Sequence, residues 1–236
     1  MDHLTGVRIS GTVMSMASSP PETPARKLRW FQYSLRSLML LVLLASVGMS
    51  WFAVKMKRAR EQKEAVEEIR KWGGEVHYDY EFQRSGNPLQ PSGPPGPAWL
   101  RNLMGEDLFA TVVWVAFGPY SSDADLEQLH GLTQLQTSYL GGRHVTDAGM
   151  EHLKGLPQLQ TLDLDATDST DGGVQHLKGL TQLQTLDLSS TQVTDAGLEC
   201  LRGMSQLQRL RLTATNVTDE GVKRLKLALP TCEVQR

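Results

Sequence analysis

A 24-residue repeat fills the second half of the chain and constrains its fold more than any other feature. The phrase "TLDLSSTQVTDAG" at 185–197 has near-copies at 161–173 and 209–221. Units begin at Ser121, Val145, Ser169 and Val193, and a truncated unit begins at Val217. A period of this length is typical of solenoids, in which each unit buries its apolar side against its neighbours.

Each unit is predicted to contain a short strand and a helix. Leucines at unit positions 15, 18 and 20 fit a strand, and Leu or Met at positions 6, 9 and 12 fits one side of a helix. The helix begins at a capping threonine followed by an aspartate, and it ends at a glycine. These residues are Thr146, Thr170, Thr194 and Thr218; Asp147, Asp171, Asp195 and Asp219; and Gly131, Gly155, Gly179 and Gly203. Their recurrence indicates a structural role.

The strand pattern L-x-x-L-x-L-x-x-T-x-V resembles that of the leucine-rich-repeat family. It occupies Leu183, Leu186, Leu188, Thr191 and Val193, and nearly the same pattern occurs one unit earlier. The chain is also similar to bacterial membrane-anchored proteins with "VTDAGL" units and, in its repeats, to F-box ubiquitin-ligase receptors. The resemblance implies an α/β fold, a right-handed leucine-rich-repeat solenoid in a horseshoe arc with parallel strands on its concave face. It also implies binding rather than catalysis.

Some positions depart from the family pattern. Thr167, Thr191 and Thr215 stand where the family places an asparagine that bonds the turning backbone, and a hydroxyl can also make such a bond. In the first unit Ser138 replaces a strand leucine and Arg143 interrupts the pattern. We therefore expect the first unit to be the loosest.

An uncharged segment near the N-terminus predicts a single transmembrane helix over residues 35–54. The run "SLMLLVLLASVGMSWFAV" has no charge between Arg36 and Lys55, and as a helix it would extend roughly 27 Å, close to the hydrocarbon thickness of a bilayer. A buried core helix and a cleaved signal peptide, with small residues at Ser46 and Gly48, are alternatives.

Charge is unevenly distributed along the chain. Residues 1–71 carry twelve of the 24 Lys and Arg but six of the 26 Asp and Glu. Because basic residues flank the apolar segment on both sides, the positive-inside rule does not decide its orientation. We expect a signal anchor with a disordered basic tail over residues 1–34 and an exported repeat domain.

Between the membrane segment and the repeats, the sequence predicts a helical stalk and a cap. Residues 55–74 read as a solvated helical stalk, and residues 75–120 as an N-terminal cap with a Pro/Gly-rich loop. In the cap, "EVHYDYEF" at 75–82 alternates as a half-buried strand, and "TVVWVAF" at 111–117 fits a buried one. The leucine-rich-repeat domain then extends over 121–236.

Strand residues that alternate with the buried leucines are predicted to face the concave side of the solenoid. These candidate binding residues are Tyr139, Thr161, Asp163, Asp165, Thr185, Asp187, Ser189, Arg209 and Arg211. They could form a solvated face, a protein or peptide contact anchored by Tyr139, or a divalent-cation site. Three carboxylates on a flat sheet supply too few oxygens for calcium, so no metal ligand is assigned.

Nothing in the sequence indicates catalysis, a cofactor or nucleic-acid binding. The motifs GxxxxGK[ST], HExxH and GxSxG are absent, and Cys200 and Cys232 lack a metal-type or redox spacing. His130, His152 and His176 fall on the helical, convex side. The sequence therefore predicts a membrane-anchored module that binds a protein or other macromolecule. The alternatives are a substrate receptor of the ubiquitin-ligase type and a self-associating envelope protein.

Overall fold

The computed structural model describes residues 35–82, 95–118, 120–142 and 144–236. The predicted N-terminal tail, most of the Pro/Gly-rich loop and Arg143 lie outside these residues. Two compact units comprise Met1–Ser46 and Val47–Arg236.

Helix α1, Leu35–Lys71, contains the predicted membrane segment. Within the described residues it is the one helix long and apolar enough to cross a membrane. Its large apolar side chains are exposed from Leu38 to Val54, including Trp51 at 65%. Exposure of so many apolar groups disfavours the alternative of a buried core helix, because such a surface needs an apolar surrounding.

The remaining elements follow the predicted alternation of strand and helix. After α1, the cap contains β1 (Glu75–Tyr78), α2 (Asp79–Phe82), α3 (Ala98–Met104) and β2 (Val112–Ala116). The repeats contain α4 (Asp123–Glu127), β3 (Thr137–Tyr139), α5 (Asp147–Met150), β4 (Thr161–Asp163), α6 (Asp171–His176), β5 (Thr185–Asp187), α7 (Asp195–Leu201), β6 (Arg209–Arg211), α8 (Asp219–Ala228) and β7 (Glu233–Gln235). Short 3-10 turns at Gln128–Gly131, Glu151–Gly155 and Leu177–Gly179 extend α4, α5 and α6.

One sheet joins all the strands of the described residues in sequence order, β1 to β7. Strand β1 is antiparallel to β2, and every later pair is parallel. Equivalent residues of successive units are directly paired, as with Leu162, Leu186 and Leu210. All three side chains are fully buried. The predicted α/β leucine-rich-repeat solenoid is confirmed. Strand β2 of the cap adds a strand to its parallel sheet, and the truncated last unit contributes β7.

Aspartate and threonine residues link consecutive units on the helical side. The backbone N–H and hydroxyl of Thr194 donate to the two carboxylate oxygens of Asp171 at 2.8 and 2.6 Å. The same pair of bonds joins Asp123 to Thr146, Asp147 to Thr170, and Asp195 to Thr218. We call this series the Asp–Thr ladder. The threonines also cap their helices as predicted, but the aspartates bond the following unit, which the sequence analysis did not foresee.

Glycines make room for the ladder. A Cβ atom placed on Gly197 would lie 2.5 Å from Oδ1 of Asp171, well inside van der Waals contact. Equivalent close approaches occur between Gly173 and Asp147 and between Gly221 and Asp195. The "TDxG" sequence therefore specifies one packing contact, in which the aspartate carboxylate of one unit lies against the glycine backbone of the next unit.

The turn after each strand is tight and uses a threonine hydroxyl. Ala166, Ser190 and Ala214 adopt left-handed backbone conformations with φ of 57°, 56° and 57°. The following Thr167 donates its hydroxyl proton to the carbonyl of Leu164 at 2.9 Å, and Thr191 and Thr215 make the equivalent bond. This confirms the predicted use of a hydroxyl in place of the family asparagine.

The prediction of a solvated stalk over residues 55–74 is wrong for the second half of the segment. Gln62, Ala65, Val66 and Ile69 are buried, and the three apolar residues among them belong to the hydrophobic core. They pack against the cap because Val112 and Val115 of β2 need cover on the inner side of the sheet. The second half of α1 therefore covers the cap end of the hydrophobic core.

The predicted strand over 75–82 ends early, at Tyr78. Asp79 turns the chain, since its backbone N–H donates to the Thr111 carbonyl and its carboxylate accepts from the N–H groups of Thr111 and Tyr80. These bonds favour one helical turn, α2, over continued pairing with β2. The alternating pattern of the sequence therefore extended past the true end of the strand.

Candidate functional site

Strands β3 to β7 align the candidate residues into two rows on the concave face. One row contains Thr137, Thr161, Thr185, Arg209 and Glu233, and the other contains Tyr139, Asp163, Asp187, Arg211 and Gln235. The rows result from the parallel register, which stacks equivalent residues about 4.8 Å apart. The predicted residues therefore lie side by side, in the predicted order.

A shallow depression of about 250 Å³ lies over these rows. Seven of the nine predicted residues line it: Tyr139, Thr161, Asp163, Thr185, Asp187, Arg209 and Arg211. Asp165 lies instead in a wider neighbouring depression of about 640 Å³, beyond the ends of the strands and beside Tyr120. Ser189 lines neither, and its N–H donates to Asp187 at 2.9 Å. Both depressions include Tyr139 and Asp163, so together they form one continuous surface.

Asp187 is the most buried charged residue of this face and is already paired. It is 8% exposed, and the Arg211 guanidinium donates to its Oδ2 at 3.3 Å. Arg211 also donates from Nε to the Gln235 side chain at 3.3 Å. These contacts hold the Arg211 side chain between the two neighbouring strands, β5 and β7.

Asp163 is a partly buried carboxylate that lies near two others, Asp187 and Asp165. Partial burial, reinforced by the nearby carboxylates of Asp187 and Asp165, raises the pKa of Asp163 above its usual value, although the Asp165 N–H and Arg211 oppose the shift. Its Oδ1 accepts from the Asp165 N–H at 2.9 Å. A cationic group placed over Asp163 would favour its charged form. This side chain is therefore suited to receive a basic group from a partner.

Aromatic rings extend the concave face onto the cap, which the sequence analysis missed. The Trp114 ring lies 5.6 Å from Tyr139 and 4.6 Å from His77, between centroids. Trp114 adjoins the buried Val115 on β2, so strand alternation over 111–117 was the signal that could have placed it outward. Glu233 and Gln235 were also missed, although they follow Arg209 and Arg211 by one 24-residue period.

Groups that could serve catalysis are scattered. His130, His152 and His176 lie on the helical side, in or next to the 3-10 turns. Cys200 is partly exposed on α7, Cys232 is buried in the last unit, and both are free thiols. In the part of the chain that the structure describes, no three His, Cys, Asp or Glu side chains are grouped so as to hold a metal ion.

Comparison with known proteins agrees with the repeat architecture. The family described as leucine rich repeat matches residues 157–217. No curated protein matches the chain.

Several solved structures are similar to part of the chain. Internalin C2 from Listeria monocytogenes is 24% identical, with 46% of each chain covered and a TM-score of 0.38. Another internalin from the same strain is 19% identical, covering 46% of this chain and 36% of that one, with a TM-score of 0.34. A Bacteroides fragilis protein is 22% identical over 50% of this chain and 39% of that one, with a TM-score of 0.38. The chain thus spans less than half the length of each.

Proposed function

We propose that this leucine-rich-repeat protein is a membrane-anchored interaction module that binds a protein or peptide through its concave face. The observation that carries the proposal is the continuous surface formed by Trp114, Tyr139, Asp163, Asp187 and Arg211. Trp, Tyr and Arg are the residue types that contribute most to binding energy at protein interfaces. The face is open and extended, which suits a macromolecule better than a small substrate.

The order of chemical groups along the face suggests the character of the partner. Aromatic rings occupy the cap end and carboxylates the middle. Arg209 and Arg211 follow on β6, and Glu233 and Gln235 end the two rows on β7. A segment with an apolar residue, then a basic one, then an acidic one would match this order. A basic group at the centre would stabilise the charged form of Asp163, which partial burial and the carboxylates of Asp187 and Asp165 disfavour.

The two alternative functions are less directly supported. A substrate receptor of the ubiquitin-ligase type would also bind a separate partner, and no contact among the described residues favours that more specific function. Self-association through a poorly capped C-terminal unit is disfavoured, since α8 and β7 complete that unit and Leu225, Leu229 and Cys232 are buried. Binding of a separate partner is therefore the function we retain.

The concave face can be tested with a triple variant, Tyr139→Ala, Asp187→Asn and Arg211→Gln. Peptides selected from a random display library on the full-length wild-type protein should bind this variant at least about tenfold more weakly, because the ring and both charged contacts are lost. Affinity measured by fluorescence anisotropy, with thermal melting to check the fold, gives the result.

A convex variant supplies the matched control. His176→Ala, Glu199→Gln and Arg202→Gln likewise remove one ring and one exposed ion pair, here from the helical side. This variant should bind the selected peptides as tightly as the wild type. If the concave variant bound fully and the convex variant bound weakly, the binding site would lie on the convex, helical side instead.

The proposed anchoring places the repeat domain outside the cytoplasm. Protease added to intact cells should then degrade the domain after α1 and leave a protected fragment that contains the apolar segment. Immunoblotting with N-terminal and C-terminal tags reports the outcome, and a cytoplasmic protein serves as the control for lysis. Protection of the C-terminal tag in intact cells, with degradation after permeabilisation, would reverse the orientation.

A further inference from the structure

Helix α3 of the cap exposes a large apolar surface. None of its residues is buried, and Trp99 and Leu103 are 67% and 76% exposed. The two side chains are four residues apart, so they share one face of the helix. An exposed tryptophan beside an exposed leucine is unusual for a surface in contact with water alone, and it raises the question of what covers it.

The cap packs along the half of α1 that follows the apolar segment. Beyond the C-terminal end of α1, a Cβ placed on Gly74 would lie 3.2 Å from the Ala116 carbonyl oxygen. Twelve residues earlier, Gln62 accepts from the Val112 N–H at 3.2 Å and donates to the Ala110 carbonyl at 3.0 Å. Residues 110–116 therefore run in the same direction as α1, and the earlier residues lie nearer to its apolar segment.

The preceding residue, Phe109, reaches the level where the apolar segment ends. It lines a cavity of about 210 Å³ together with Lys55 and Arg58, which we call the basic cavity. Lys55 is the first charged residue after the apolar segment. A Cβ placed on Gly96 would lie 3.4 Å from the Phe109 ring, and α3 begins two residues after Gly96. Ala98, the first residue of α3, is therefore within roughly 12 Å of that ring.

The basic cavity has uncompensated positive charge. Lys57 and Lys63, on the same helix, pair with Glu61 and Glu67 at 3.6 and 3.7 Å. Within the described residues, Lys55 and Arg58 form no ion pair; Lys55 lies over the Trp51 ring at 5.4 Å.

One carboxylate, Asp107, also lines the cavity, so its lining carries two cations and one anion. Asp107 accepts from Gln62 at 3.1 Å and from the Tyr78 hydroxyl at 3.2 Å, so its hydrogen bonds are made with the cap. Among the described lining residues, Asp107 forms no ion pair with Lys55 or Arg58, and the cavity keeps an excess of one positive charge that an anion could contact.

We propose that α3 and the basic cavity dock the cap onto a bilayer surface that contains anionic lipid. Trp99 and Leu103 enter the interfacial region, where tryptophan is favoured, and Lys55 and Arg58 contact lipid phosphate groups. This inference rests on the proposed anchoring by α1. Two contacts with the same bilayer, the span and α3, would restrict rotation of the solenoid about its anchor and fix the direction in which the concave face is presented.

Quenching of tryptophan fluorescence by brominated acyl chains tests the docking of α3. The full chain is placed in nanodiscs of phosphatidylcholine with phosphatidylglycerol, and Trp99→Phe and Trp72→Phe are compared with the wild type. Trp72 is a matched control, since it is 68% exposed but lies about 26 Å further along the chain direction of α1 from Lys55. We expect about a twofold loss of the Trp99 emission and none of the Trp72 emission. Equal, unquenched emission from both residues would overturn the proposal.

The role of the cations is tested by Lys55→Gln with Arg58→Gln, against Lys57→Gln with Arg60→Gln. Both pairs remove the same charge from the same turns of α1, but Lys57 and Arg60 lie outside the basic cavity. We expect that only the first pair diminishes Trp99 quenching in anionic nanodiscs. An equal effect of both pairs, or equal quenching in purely neutral nanodiscs, would overturn the assignment of the basic cavity to lipid phosphate.

Failure of the anchor is distinguishable from failure of the docking. Trp51 lies inside the apolar segment, so a Trp51→Phe comparison in the same nanodiscs reports whether α1 inserts. Quenched Trp51 with unquenched Trp99 refutes the docking of α3 alone. Unquenched Trp51 refutes the anchoring and, with it, the inference.

Discussion

Replacing Leu186 by Asp is expected to abolish the folded repeat domain. Leu186 is fully buried in β5 and pairs directly with Leu162 and Leu210 in the neighbouring strands. A carboxylate at this point would be desolvated between two strands without a partner. That cost is comparable with the whole stability of a small domain, about 5–15 kcal/mol. Thermal unfolding of the full chain followed by circular dichroism should show no cooperative transition.

Thr185→Asp is the matched control for this prediction. It introduces the same side chain one residue earlier, where the strand faces the partly exposed concave side beside Arg209. Cooperative unfolding close to that of the wild type is expected for this control. A Leu186→Asp variant that melts like the wild type would show that the strand register is wrong, since the two residues would then face the opposite way.

The second large effect is expected from Asp171→Ala, which removes one step of the Asp–Thr ladder. The carboxylate accepts two bonds from Thr194, and bonds to a charged group contribute about 1.5–3 kcal/mol each, so a loss on the order of 3 kcal/mol is expected. Urea unfolding should give a lower midpoint, with an unchanged slope if unfolding stays two-state.

Asp219→Ala tests whether this loss comes from the ladder or from the aspartate itself. Asp219 occupies the equivalent position of the last unit, where its carboxylate pairs with the exposed Arg236 instead of a threonine. A surface ion pair of this kind contributes about 0–1 kcal/mol. Equal destabilisation by the two substitutions would contradict the ladder and assign both effects to the helix N-terminus.

The repeated part of the fold was predictable because one period determines it. Once Leu162, Leu186 and Leu210 are assigned inward, the alternation of a strand places Asp163, Asp187 and Arg211 outward, and the parallel register aligns them. The same rule predicted most of the concave depression. Equivalent residues of successive units pair with one another, so the sequence pattern of one unit also predicts its contacts with the next unit.

The cap was less predictable because its contacts are made once and between distant residues. Gln62 forms hydrogen bonds with Ala110 and Val112, about fifty positions away, and no repeat in the sequence predicts that contact. The polar and charged residues around Val66 and Ile69 gave the segment the composition of a solvated helix. Trp114 was overlooked for a related reason, since its strand was interpreted as buried on both sides.

The Asp–Thr ladder has a consequence for how such a domain can change in length. If a second copy of residues 169–192 were inserted after Gln192, the copied Asp171 would face Thr194 and Gly197, as the original does now. The original Asp171 would face the copied Thr170 and Gly173, in the same contact that Asp147 now makes. The junctions would repeat contacts that the molecule contains, and the sheet would lengthen by one strand, about 4.8 Å. Duplication or loss of whole units therefore preserves the core while it adds or removes one position from each row of the concave face. The proposed binding face is consequently open to change by copying a segment as well as by substituting a residue.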